Sequence, residues 1–198
     1  MIIKGTFDMN AVLAKAAKNP RVHTHLKQKA REKFQRAKNE VIKNFKESEV
    51  TREISAGESS SNISSTLGGY GNLYSYIGFY AGANPLDGIT SYLENFNFVG
   101  KLTKTILGRT TITQSYSIKW FNIKTIEALS SMPWESGNSW IRGIEKGISG
   151  FSYYMYGEFV KSRSGKGKQS KKEVDNVAMF TVTRYLPTFI EEARQKFK

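Results

Sequence analysis

An α+β fold is predicted for this chain: a long N-terminal amphipathic helix packed on an antiparallel β-sheet, with short helical insertions and a C-terminal helix. Three patterns carry that expectation. Leu26, Ala30, Phe34, Ala37, Val41 and Phe45 recur every three or four residues, which draws one apolar stripe along a helix. Ile112, Tyr116, Ile118 and Trp120 alternate with Thr111, Thr113, Ser115, Ser117 and Lys119, the period of a strand covered on one face. Pro187 opens a terminal helix, Thr188 to Phe197, lined by Phe189, Ile190, Ala193 and Phe197.

The other elements follow in order. Residues 8–19 read as a short helix with Asn10 as N-cap, stopped by Asn19-Pro20. The long helix spans about Thr24 to Ser48 and holds no Gly or Pro to interrupt it. From Glu49 the texture turns polar and rich in Ser and Gly, predicting a short strand and then a mobile loop over residues 55–71. In the following segment, Leu73, Ser75, Ile77 and Phe79 alternate with Tyr74, Tyr76 and Tyr80, predicting a strand covered on both faces. A helix from Pro85 to Asn95 would bury Ile89, Tyr92 and Leu93. Lys101 to Leu107 should pair with Arg109 to Phe121 as a hairpin turned at Gly108-Arg109. Helices at Ile123 to Leu129 and Ser139 to Lys146 come next, then an aromatic extended run, Phe151 to Phe159. A second mobile loop covers 161–173, and Val177 to Tyr185 returns as a strand.

The 198 residues fit one domain large enough to hold a core, and 39% hydrophobic residues are too many for general disorder. The net charge of +13 is not ordinary. It concentrates in two places. Lys27, Lys29, Arg31, Arg36, Lys38 and Lys43 lie on the long helix. Lys161, Arg163, Lys166, Lys168, Lys171 and Lys172 lie in a run with no acid. Such a surplus is relieved by an acidic protein, a membrane surface or nucleic-acid phosphates, and it equally suits a solvated surface. The basic run has no aromatic residue and so cannot stack bases by itself.

Chemistry-bearing patterns are scarce. With no cysteine there is no disulfide, thiolate metal site or cysteine nucleophile. His23 and His25 are two apart and would not share a helix face, so no metal is expected. The glycine clusters at 68–71 and 165–167 lack the spacing of a phosphate-binding loop. Asp87, Glu94, Glu135 and Glu145 show no acid–base spacing. The expectation is therefore no catalytic residue, no cofactor and no enzyme. No apolar run approaches a membrane span or a secretory signal, which predicts no membrane contact and synthesis in the cytoplasm. Aromatic residues are plentiful instead, and Tyr74, Tyr76, Tyr80, Trp134 and Trp140 are candidates for a subunit interface.

The organisation resembles the tail-completion and head–tail joining (neck) proteins of tailed bacteriophages. The likeness rests on the basic helix Leu26 to Phe45, the Ser/Gly stretch Ser55 to Gly71, a sheet with a long internal loop, and a closing helix. The strings GGYGNLYSYIGFYAG, MPWESGNSWIRGIEKGISGFSYYMY and KSRSGKGKQ have the same character. The resemblance implies a structural virion protein made in the host cytoplasm. Its partners would be itself, as a ring (a hexamer is the common form), the neighbouring portal or connector and tail proteins, and transiently the packaged DNA. The alternative is a basic nucleic-acid-binding protein with sequence-independent phosphate contacts. A hydrolase with carboxylates assembled from distant segments is a third reading.

Overall fold

The computed structural model describes residues 8–69, 71–134, 137–147 and 180–197. Eight α-helices and one two-stranded antiparallel sheet lie within them. The fold is α+β, with the long helix near the N-terminus and a helix at the C-terminus. The contacts divide it into two compact units. One holds residues 8–37 and 97–120, and the other holds the remaining described residues up to 196.

The first unit is two helical segments and a hairpin. Helix α1, Met9–Ala17, is capped by Asp8, whose carboxylate accepts from the Asn10 and Ala11 amides at 3.0 and 3.2 Å. The cap is thus two residues earlier than expected, since a carboxylate outside the first turn also complements the helix dipole. Asn19-Pro20 ends this helix and at once begins the next. Asn19 Oδ1 accepts from the Arg21 amide at 2.9 Å, and Pro20 takes the first position of α2, Pro20–Glu47. Proline is favoured there because its missing N–H would have no helical partner. The helix therefore starts four residues before the expected Thr24.

Strands β1, Gly100–Leu107, and β2, Ile112–Ile118, form the expected hairpin. The turn closes through Gly108 N–H to the Thr111 carbonyl at 2.8 Å. A Cβ on Gly108 would stand 2.6 Å from Thr111 Oγ1, so the turn needs glycine. A bulge between Leu102 and Lys104 leaves Thr103 to donate its hydroxyl to the Ser115 carbonyl at 3.0 Å. Ile112, Gln114, Tyr116 and Ile118 of β2 are half-buried, and the residues between them are exposed. Phe34 of α2 is fully buried, edge-on to Phe98 at 5.6 Å and to Trp120 at 5.5 Å.

The second unit is helical. It takes residues 38–47 of α2, with Val41 and Phe45 buried as the stripe predicts. Next come α3, Glu49–Ser55, and α4, Leu73–Ile77. Then follow α5, Asp87–Asn95, α6, Ile123–Leu129, α7, Trp140–Lys146, and α8, Leu186–Phe197.

Two expected strands are helices. Ser48 caps α3 through Thr51, and Val50, Glu53 and Ile54 are its buried side. Asn72 caps α4, its Oδ1 accepting from the Ser75 amide at 2.8 Å, and Gly78 ends it at φ 87°. Those two end signals outweigh the alternation of aromatic and aliphatic residues between them.

Only residues 180–185 of the expected returning strand are described. They form no ladder, making backbone bonds from Thr181 to Thr66 at 2.7 Å and from Thr183 to Ile144 at 3.1 Å. The expected strand Phe151 to Phe159 and the loop 161–173 lie outside the described residues.

Candidate functional site

Charge is unevenly divided between the two units. The described residues of the helix–hairpin unit carry twelve Lys and Arg against Asp8 and Glu32 alone, a formal +10. Those of the helical unit carry ten against eleven acids, a formal −1. Among the described residues the surplus thus sits in one unit, where self-repulsion opposes it. Lys27, Lys29, Arg31 and Arg36 are all exposed on α2, as expected. The hairpin segment 97–120 adds Lys101, Lys104, Arg109 and Lys119 with no acid at all. No sequence pattern had singled these four out, although the missing acids are plain in the string.

The pairing register sorts the hairpin's two faces. Thr113, Ser115 and Ser117 lie opposite Ile106, Lys104 and Lys101, and paired residues share a face. This outward face is exposed at every one of the six positions. The inward face carries Gln114 and Tyr116, which are joined to each other and to α2. Tyr116 donates its hydroxyl to Gln114 Oε1 at 2.8 Å, and Gln114 Nε2 lies 2.6 Å from His23 Nδ1. His23 thereby ties the hairpin to α2. Burial pushes the Tyr116 phenol above its ordinary range.

Exposed apolar side chains gather in the same unit. Met9, Val12, Val99, Leu102, Ile106 and Leu107 are six of the ten large apolar side chains exposed among the described residues. Helix α1 packs against β1. The unit thus carries both a charge surplus and uncovered apolar area.

The remaining expected site residues lie in the helical unit and separate on inspection. Lys43 is exposed as expected. Lys38 is not part of a solvated face: it is 6% exposed, and its ammonium donates to the Glu94 carbonyl at 2.5 Å. Its stem follows the buried side of α2 because Lys38 is next to Ala37 and four residues from Phe34.

Among the aromatics, Tyr74 and Trp140 are each 1% exposed and belong to the unit's own core, so they cannot meet a partner directly. The Tyr74 hydroxyl donates to the carbonyls of Tyr80 and Ala83. Trp134 Nε1 donates to the Ile77 carbonyl at 2.7 Å. Tyr76 stacks on Phe180 with ring centroids 5.6 Å apart, and burial pushes its phenol up to about 12. Tyr80 is 59% exposed and is left as a surface aromatic. The cations 161–172 lie outside the described residues.

The segment expected to be a mobile loop surrounds a buried carboxylate. Glu53 is 0% exposed. It accepts from Asn62 Nδ2 at 3.0 and 3.1 Å, from the Ser64 amide at 2.9 Å and from the Leu73 amide at 2.6 Å. Asn62 Oδ1 in turn accepts from the Leu67 and Gly69 amides at 2.8 and 3.1 Å. Every donor is neutral and structural, so this constellation holds a loop in shape. Glu145 acts similarly, accepting from the Tyr185 and Thr188 amides at 2.9 Å to cap α8. A cleft of about 510 Å³ lined by Phe45, Lys46, Thr51, Arg52, Asp87 and Thr90 brings no acid–base pair together, and its Lys46 is paired with Glu94 at 2.6 Å.

No helix among the described residues is long and apolar enough to cross a membrane, and no cluster of three or more metal-ligating side chains occurs among them. No family model, curated protein or solved structure matches the chain.

Proposed function

We propose that this chain is a non-enzymatic structural protein of a tailed-phage virion. In this reading it forms a ring that joins the head connector to the tail at the neck or tail end. The observation that carries the reading is the uncovered apolar surface of α1 and β1, set in a unit whose described residues carry a formal +10. An isolated two-stranded hairpin is marginal in water, and leaving its apolar side chains exposed adds nothing to its stability. A neighbouring copy that covers Val12 and Leu107 would supply the missing burial. A ring needs such a head-to-tail contact between two different patches. Its other partners are the adjoining connector and tail proteins.

The same charge surplus also favours the alternative, a nucleic-acid-binding protein acting alone. The two readings part on assembly. Light scattering at about 0.15 M salt, near the ionic strength of the cell, should give one discrete mass of several copies. A chain that stays monomeric at every concentration and binds DNA in that state would overturn the adaptor reading.

A further inference from the structure

We infer that the outward face of the hairpin is a sequence-independent contact for the phosphates of duplex DNA. The inference rests on the adaptor reading for its occasion, since the duplex there is the packaged genome passing the ring. It places the DNA contact on the hairpin instead of the cationic run 161–172.

Four observations converge on this face. It presents Lys101 and Lys104 beside the hydroxyls of Thr113, Ser115 and Ser117, all exposed. The bulge between Leu102 and Lys104 returns both lysines to one face, two strand steps or about 7 Å apart. No acid occurs anywhere in 97–120, so nothing on the hairpin competes with phosphate for these cations. Arg109 at the turn and Lys119 just past β2 extend the charge to both ends of the ribbon.

The chemistry also selects the form of nucleic acid. Lysines and hydroxyls donate to phosphate oxygens and carry no base readout. The six outward positions hold no aromatic side chain, so unstacked bases find no platform there, and a duplex is favoured over a single strand. The aromatic Tyr116 is turned inward and engaged by Gln114. Weak contacts of this kind suit a strand of DNA that must slide past rather than stay.

The test is fluorescence anisotropy of a labelled 20-base-pair duplex of mixed sequence with the full chain. With about four phosphate contacts, the affinity should fall on the order of 100-fold between 50 and 200 mM salt. Lys101→Gln with Lys104→Gln should weaken binding roughly tenfold and flatten the salt dependence by about two ions. Lys101→Arg with Lys104→Arg should bind as the parent does, which separates lost charge from lost fold. Replacing the six cations of 161–172 by Gln should cost less than the hairpin pair.

Equal binding by the parent and the Gln pair would overturn the inference. So would tighter binding of single-stranded DNA, or displacement of the duplex by polyglutamate at matched charge, which would mark a protein partner instead. Masses by light scattering run beside each titration. A ring that ignores duplex removes this inference and leaves the adaptor reading standing, whereas a monomer that binds through the hairpin does the reverse.

Discussion

The carboxylate of Glu53 and the side-chain amide of Asn62 meet at 3.0 and 3.1 Å with Glu53 wholly removed from solvent. This pair anchors the Ser- and Gly-rich segment to α3. Asn62 Nδ2 donates to the carboxylate while Asn62 Oδ1 gathers the Leu67 and Gly69 amides on its other side. The Leu73 amide, at the first turn of α4, reaches the same carboxylate at 2.6 Å. One buried charge thereby ties two helices and the chain between them.

Glu53→Gln should therefore destabilise the protein by about 3 kcal/mol. The amide turns one acceptor into a donor facing donors and leaves buried N–H groups unmet. Urea denaturation reads this as a lower midpoint at unchanged slope. A loss below about 0.5 kcal/mol, the usual range of a surface substitution, would show that the carboxylate is not the anchor.

The same region shows why part of the fold could be read from sequence and part could not. Along α2 the apolar stripe stands out because Phe34, Val41 and Phe45 are spaced at 3.6-residue periodicity and all are buried. β2 was equally plain, its half-buried and exposed residues alternating without a break. Glu53 was not, because a carboxylate at a stripe position reads as a break in the stripe. Its donors come from residues 62, 64 and 73, and no local pattern announces them. In 72–78 a five-residue helix is too short for its period to differ from a strand's. Only Asn72 and Gly78 at its ends carried the signal. The basic face of α2 was legible, but the hairpin's outward face depends on a register and a bulge that pairing alone defines.

Lys38 and Lys43 look alike in sequence and should behave differently. Lys38 is buried and donates to the Glu94 carbonyl, so Lys38→Ala removes packed methylenes and leaves that acceptor unmet. A loss of about 1–3 kcal/mol follows. Lys43 is exposed, and Lys43→Ala should stay within about 0.5 kcal/mol of the parent. Thermal unfolding of the two variants side by side decides it, and equal midpoints would contradict the burial of Lys38.

Alkaline pH should weaken the fold through its buried tyrosines. Tyr76 is pushed from 10.0 up to about 12 by burial, and Tyr185 is pushed up for the same reason, opposed by its hydrogen bond with Thr51. Burial favours the neutral phenol, so the folded chain holds these protons where the unfolded chain releases them. The stability Tyr76 contributes is complete below pH 10 and is lost as pH rises through about 12. Absorbance titration of the phenolates should show most tyrosines ionising first and these two only together with unfolding. Tyr76→Phe should push the alkaline midpoint higher. If all phenols titrate near pH 10 in the folded protein, the burial argument fails.

The apolar surface of α1 and β1 gives a prediction in which stability and assembly move separately. Val12 and Leu107 are exposed in the single chain, so Val12→Gln with Leu107→Gln should leave its unfolding free energy within about 0.5 kcal/mol of the parent. A neighbour that covers them would lose roughly 1–2 kcal/mol per side chain, about tenfold in association for each. Light scattering across a dilution series should then find the double variant dissociating at concentrations where the parent holds its full mass. The cations of the outward face are untouched, so duplex binding by the dissociated chain should persist at low salt. A variant that keeps the parental mass would place the subunit contact elsewhere. One that unfolds would show that these side chains serve the fold rather than the assembly.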